Sequence, residues 1–200
     1  MSFKDRKHLA PFLFYTIVTF VLGVAAATSE ARSSGSILLL VIAGFLSWGL
    51  VEYVLHRFIF HYEAQSERAR ALLYAMHLAH HDDPRSQERL FASLTMSVPI
   101  AAGYCLLVWA LVGNWHAMVY VFIGLVAGYF SYEALHYQAH HGAPRWRLFK
   151  YLKKYHLLHH HQTPELRFGV TSPAFDYLFG TFRPVSWKRA ALGRKAARNK

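Results

Sequence analysis

Acidic residues are scarce in this chain: 11 aspartates and glutamates stand against 22 lysines and arginines over 200 residues. Cysteine is scarcer, with Cys105 the single copy. One cysteine excludes an internal disulfide and any multi-cysteine zinc or iron–sulfur site. Cys105 lies inside an apolar run and reads as a small, buried, apolar residue. No internal repeat or low-complexity linker breaks the chain, and its length suits one domain, 1–200, rather than two. Charged residues make up only 16% of it, and apolar residues 54%. The charges cluster outside long apolar runs, which excludes a nucleic-acid binder and leaves a membrane protein.

Four runs are long enough to span a bilayer, which takes about 20 mostly apolar residues in a helix. They cover about 11–28, 36–55, 91–112 and 117–136. Internal glycines and Pro99 are tolerated there because neighbouring groups re-satisfy the freed backbone. The connections 29–35 and 113–116 carry one arginine between them, whereas the N-terminus, the segment 56–90 and the chain after 136 are rich in cations. The positive-inside rule puts both termini and the middle segment in the cytoplasm. The first run follows a basic start but lacks a clear cleavage site, so it is expected to stay as an anchor. The fold expected is all-α, an integral membrane four-helix transmembrane bundle with a cytoplasmic cap formed by 56–90 and 137–185. A basic tail, 186–200, would meet anionic headgroups.

Histidine is what the chain has in excess. There are fourteen, and twelve lie in 56–81 and 136–161, where runs two and four emerge. Their spacing repeats: His56 and His61 in "HRFIFH", His77, His80 and His81 in "HLAHH", His136 and His140 in "HYQAH", His156, His159 and His160 in "HLLHH". Residues three and four apart share a helix face, so each HxxHH places three imidazoles on one stripe. His136 and His140 form the i, i+4 pair of a metal-binding helix. His56 and His61 are about 140° apart on an α-helix. Either the helix ends between them or the two rings serve different sides of the site. Neutral imidazole is the commonest metal ligand, and ten rings exceed what one ion can use. Two metals with about five ligands each is the natural count, giving a histidine-rich cap that holds a dinuclear site. His141 and His161 follow such groups and point to neighbouring faces, as outer partners or surface residues. His8 and His116 sit at run ends without a role.

No acid near the clusters makes the Glu-x-x-His pair of soluble di-iron bundles, so the donor set is nitrogen. Nitrogen suits iron, zinc and copper alike. A centre at the ends of membrane helices meets lipid, and breaking an unactivated C–H bond needs redox chemistry, which points to iron with O₂.

In order and spacing, the four motifs resemble the fatty acid hydroxylase/sterol desaturase superfamily of membrane non-haem di-iron enzymes, and most of all its fatty acid 2-hydroxylases. The resemblance rests on "EYVLHRFIFH" (52–61), "HLAHHDDPRSQERLF" (77–91), "HYQAHHGAP" (136–144) and "HLLHHHQTPELRFGVTSPAFDYLFGT" (156–181), and covers about 45–183. It implies that His56, His61, His77, His80, His81, His136, His140, His156, His159 and His160 ligate two irons, a site zinc can occupy in purified protein. The substrate implied is a lipid from the bilayer, oxidised with O₂ at carbon 2 of an acyl chain. Sterol and carotenoid members are the alternatives; Phe60 and the HxxxH spacing of the third motif favour the acyl branch. A membrane metal transporter is the non-enzyme alternative, opposed by spans almost free of ionisable groups beyond Glu52 and Glu133. Eukaryotic relatives often carry a fused cytochrome b5 domain. Here electrons would come from a separate cytochrome b5- or ferredoxin-like donor, a form that favours a bacterial inner membrane over the endoplasmic reticulum. Glu133, Asp82 and Asp176 are candidates to orient imidazole N–H groups, with a loop cap or salt bridge the plainer role for Asp82. Tyr53, Tyr132 and Tyr137 are candidates to wall the substrate, an interfacial aromatic belt being the plainer role for each. In "TSPAF", Ser172 would cap a short helix starting at Pro173.

Overall fold

A computed structural model describes residues 9–29 and 33–186, and the described residues hold helices and loops with no strand. The early cations, His8 and the basic tail from Trp187 onward lie outside the described residues. Among the described residues, four helical stretches are long and apolar enough to cross a membrane: Ala10–Ser29, Ser34–Phe60, Gln87–Val112 and Trp115–His141. The helices are α1 (Ala10–Ser29), α2 (Ser34–Val54), α3 (Glu67–Leu73), α4 (Ala79–Asp82), α5 (Gln87–Leu90), α6 (Leu94–Val112), α7 (Trp115–His141), α8 (Arg147–His161) and α9 (Ala174–Leu178). Two π-helical turns interrupt this series, Leu55–Phe60 after α2 and Tyr74–Leu78 between α3 and α4.

The caps follow local chemistry. Ser33 accepts from Ser36 N at the start of α2, and Asn114 Oδ1 accepts from Ala117 N at the start of α7 (2.8 Å). Gly113 ends α6 in the left-handed region (φ 64°), which glycine enters without a Cβ clash. The short helix near 174 starts one residue later than expected. Pro173 is its N-cap residue, and Ser172 Oγ accepts from Ala174 N.

Helix α7 is the axis of the bundle. Twelve of its residues are buried, whereas α6 buries none fully. Glycine explains why α2 lies so close to α7. A Cβ on Gly44 would stand 1.9 Å from Val121 O, and one on Gly124 2.0 Å from Val41 O. On Gly128 it would stand 2.4 Å from Trp48 Cβ. Small residues four apart let membrane helices approach to backbone contact, so these glycines serve packing as much as chain flexibility. Tyr15, Phe122, Leu125, Val126 and Tyr129 fill the adjoining core, with half-buried Cys105 packed beside them. At the far end, Ser29 Oγ and His116 Nε2 are 3.0 Å apart and tie α1 to α7.

Helix α7 has 27 residues, about 40 Å at 1.5 Å per residue, against a hydrocarbon core of about 30 Å. Its last turns, with His136 and His140, therefore project beyond the lipid toward α8. Replacing Gly124 by valine is expected to wedge α2 from α7 and cost about 1–3 kcal/mol or more. It should lower the melting midpoint in detergent, while Gly103→Ala, where a Cβ meets nothing within 4 Å, should not.

A candidate dinuclear metal centre

Among the described residues, ten histidines gather into two groups of five. His56, His61, His77, His81 and His159 form one, and His80, His136, His140, His156 and His160 the other. Within each group, one ring nitrogen from every histidine lies within 4.8 Å of the rest. The groups interleave. In "HLAHH", His77 and His81 join the first group and His80 the second; in "HLLHH", His156 and His160 join the second and His159 the first. Each HxxHH thus straddles two sites rather than presenting one stripe to one of them. His81 and His160 stack across the divide with centroids 4.0 Å apart.

His56 and His61 fall in the same group, and the helix neither stops between them nor splits them. The π turn closes His61 N onto His56 O (3.3 Å), an i to i+5 bond that widens the turn and brings their rings to one side. The centroids end 5.1 Å apart. The second π turn places His77 opposite His56 in the same way, at 4.7 Å.

Burial sets the charge state. Desolvation pushes His61 down to about 4, and desolvation with neighbouring imidazoles adding to it pushes His80 to about 3 and His81 to about 4. His77, His156, His159 and His160 are lowered well below the ordinary imidazole value by burial and by neighbouring imidazoles. These rings are neutral at neutral pH and offer lone pairs. The nitrogens converge: His77 Nε2 lies 3.0 Å from His81 Nε2, and His140 Nε2 2.9 Å from His156 Nε2. His56 Nε2, His61 Nε2, His159 Nε2 and both nitrogens of His136 and His160 are buried without a hydrogen-bond partner. Buried polar atoms are normally paired, so clustered orphan lone pairs fit a cation.

The loop 162–173 fixes two rings of the first group. His56 Nδ1 donates to Phe168 O (2.5 Å) and His159 Nδ1 to Leu166 O (2.8 Å), leaving Nε2 turned into the group. This is how a ligating imidazole is oriented from behind. Between those carbonyls stands Arg167, the one described non-glycine residue with positive φ (63°), a strained conformation that surrounding contacts must hold. Two buried carboxylates supply them. Asp176 accepts from Phe168 N and Gly169 N (both 2.8 Å), and from Thr181 Oγ1. Glu52 accepts from Val170 N, Thr171 N and Thr171 Oγ1.

Below the first group lies a narrow cavity of about 80 Å³ between α2, α6 and α7. His56 and His77 line it, and no histidine of the second group does. The rest of its wall is largely apolar, including Trp48, Ile100, Phe122 and Leu125, with Arg89 the one lysine or arginine.

The sequence profile of the fatty acid hydroxylase family matches residues 41–181. The chain belongs to the fatty acid hydroxylase family. It is 36% identical over 171 residues to the dihydroceramide fatty acyl 2-hydroxylase FAH2 of Arabidopsis thaliana, covering 86% of this chain and 71% of that protein. It is 34% identical to the ceramide very long chain fatty acid hydroxylase SCS7 of Saccharomyces cerevisiae, covering 90% of this chain and 46% of that one. The solved structure of full-length scs7p, in which only the hydroxylase domain is visible, superposes with a TM-score of 0.78. That match has 33% identity and spans 87% of this chain and 65% of the other.

In this member of the family, several residues expected near the rings stand elsewhere. Asp82 is exposed and accepts from Tyr74 OH (2.9 Å), so it orients no imidazole. His141 is exposed and stacks on Tyr137 at 4.8 Å, and His161 is exposed on the outer face of α8. Glu133 is buried, but its Oε1 accepts from Ala92 N (3.2 Å) and holds the approach to α6 rather than a ring. Asp176 bonds the backbone of Phe168 and Gly169 and the Thr181 hydroxyl rather than a histidine, and acts through Phe168. Tyr132 lines the cavity and packs 5.3 Å from His136. Tyr53 faces away, bonded to Thr181 Oγ1 (2.9 Å) and Arg57 Nη1 (2.6 Å). Tyr137 packs on Phe91 outside the cavity. Glu52 and the carbonyls of Leu166 and Phe168 escaped the sequence reading. A lone carboxylate in an apolar span was the available signal, since such a group must find partners.

Glu52→Ala would leave three loop donors unpaired, each costing about 1–3 kcal/mol. Lower thermal stability and faster proteolysis within 162–173 are expected, with Asp82→Ala staying within about 0.5 kcal/mol of the parent.

Proposed function

We propose that this protein is an O₂-dependent di-iron hydroxylase that places a hydroxyl on carbon 2 of a fatty acyl chain, free or within a ceramide-like lipid. The observation that carries this is the pair of five-histidine groups at the end of an apolar bundle, one of them facing a lipid-like cavity. Family membership and the 2-hydroxylase relatives support the same reading.

In this reading His56, His61, His77, His81 and His159 hold one ion, and His80, His136, His140, His156 and His160 the other. Iron, when bound, supplies the redox chemistry with O₂ that an unactivated C–H bond requires and zinc lacks. One oxygen atom ends on the acyl carbon and the other leaves as water, so two electrons and two protons come from a donor protein. The chain's own residues do the rest. The Leu166 and Phe168 carbonyls keep protons on Nδ1 of His159 and His56, so that Nε2 of each faces the ion. The largely apolar cavity wall keeps water from the reacting carbon. With the cation-rich segments on the cytoplasmic side, substrate arrives from the lipid and electrons from the cytoplasm.

Purified protein is expected to hold close to two metals per chain, and His80→Ala to lose metal and activity together. Lipid extracts of cells with and without the gene should differ by acyl chains one oxygen heavier at carbon 2. An unchanged acyl profile with altered sterols or carotenoids would reject the acyl substrate.

A further inference from the structure

We infer that α9 is an in-plane foot set into the membrane leaflet on the histidine side, and that it couples the lipid to the first histidine group. The foot stands on contacts within the chain, and the coupling rests on the proposed metal centre.

Depth follows from α2. A Cβ on Gly49 would stand 3.1 Å from Phe175 Cε2, so the α9 ring lies directly on the Gly49 backbone. At 1.5 Å per residue, Gly49 is about 10 Å below His56, inside the apolar run 36–55. Phe179 stacks on Tyr53, one turn higher, with centroids 5.1 Å apart. Helix α9 thus covers α2 from Gly49 to Tyr53, a depth at which Leu50 and Val54 of α2 are themselves exposed. Its own outer face is apolar and open: Tyr177 is 77% exposed and Leu178 69%. Between Arg167 and Arg183 the single charged side chain is Asp176, and it is buried. A face without exposed charge, laid against an apolar span, belongs in lipid rather than water.

Arginines mark the rim. Arg57, one turn above Tyr53, donates from Nη1 to Tyr53 OH (2.6 Å) and to Phe179 O (3.4 Å), and exposed Arg183 follows α9. Guanidinium groups with further donors at this level suit headgroup phosphates, and Tyr177 beside them suits the interface.

Coupling follows from Asp176, on the same short helix. Its carboxylate accepts from Phe168 N and Gly169 N (both 2.8 Å), and its main-chain oxygen from Thr181 N (2.8 Å) and Phe182 N (3.0 Å). Phe168 O in turn accepts from His56 Nδ1 (2.5 Å). Lipid contact at Tyr177 and Leu178 therefore acts on a ring of the first group through Asp176, Phe168 and two hydrogen bonds. His80, His136, His156 and His160 keep Nδ1 without a hydrogen-bond partner, so these rings of the second group have no such link.

The test uses the full, unsubstituted chain in phosphatidylcholine–phosphatidylglycerol nanodiscs whose acyl chains carry a photoactivatable diazirine. Label is expected on the peptide holding Tyr177, Leu178 and Phe179 and on exposed α2 residues such as Leu46, but not on the loop around exposed Glu165. A 174–182 peptide as free of label as Glu165 would mean that water or a second copy of the chain covers α9, and would overturn the foot. Labelling needs neither metal nor turnover, so its failure is separate from failure of the proposed function. For the coupling, the protein in nanodiscs is loaded with zinc and its release to a chelator is followed. Leu178→Asp removes little packing, since the side chain is exposed, and puts a charge at lipid depth. It should release one of two ions about tenfold faster than the parent or Leu178→Phe, with the other ion unchanged. Equal release from all three proteins, or both ions lost together at one rate, would overturn the coupling. A parent that binds no zinc would reject the metal centre, and the coupling with it, and leave the foot standing.

Discussion

Gathering ten neutral imidazoles away from water is the constraint the rest of this structure answers to. Each ring brings a lone pair, and a buried lone pair without a partner is costly. Nitrogens such as His136 Nε2 and His159 Nε2 have none in the protein. A divalent ion in each group would offset that cost, because metal binding and folding share one free energy where the ligands converge only in the folded chain. The π turns, the left-handed Arg167 and the buried carboxylates are the local concessions that let five rings meet twice. Unusual helix geometry is common where side chains must be re-aimed at a functional centre.

The apolar bundle serves the same constraint from below. Backbone contact between α2 and α7 at Gly44 and Gly124 sets where both helices leave the lipid, and hence where His56 and His136 emerge. Bulkier residues at those positions would move the two ligand-bearing ends apart. α6, with no fully buried residue, packs less tightly and leaves the cavity between itself and the α2–α7 pair. Close packing on one side and loose packing on the other therefore produce both the centre and the space for a chain.

Much of this was legible in the sequence, for identifiable reasons. Spans read well because lipid demands unbroken apolar helix. The histidines read well as clusters because residues three and four apart lie close together on a helix, although each HxxHH divides between the two sites. What escaped was whatever depends on departures from regular helix. An α-helical reading of His56 and His61 separates the rings, and only the i to i+5 bond reunites them. The sharing of each HxxHH between two sites depends on how the turn at 77–81 and α8 are brought together in the folded chain, which no local pattern encodes. Asp82 and Asp176 looked alike as nearby acids, yet one is solvated and the other clamps a backbone loop. Tyr53 and Tyr137 stood at helix ends as Tyr132 did, but rotation about the helix decides which of them meets the cavity.

The two histidine groups are not equivalent. In the first, His56 and His159 are held from behind by carbonyls of a loop that Glu52 and Asp176 clamp. In the second, Nδ1 of His80, His136, His156 and His160 has no hydrogen-bond partner. Rings fixed on their outer nitrogen keep direction, whereas rings held by packing alone can turn. The fixed group is also the one whose His56 and His77 face the cavity. Rigidity therefore sits where a C–H bond must be met at one position, and freedom sits on the side shielded from the chain. Glu52 links the two demands, since it pins the loop behind His56 while lining the cavity in front of it.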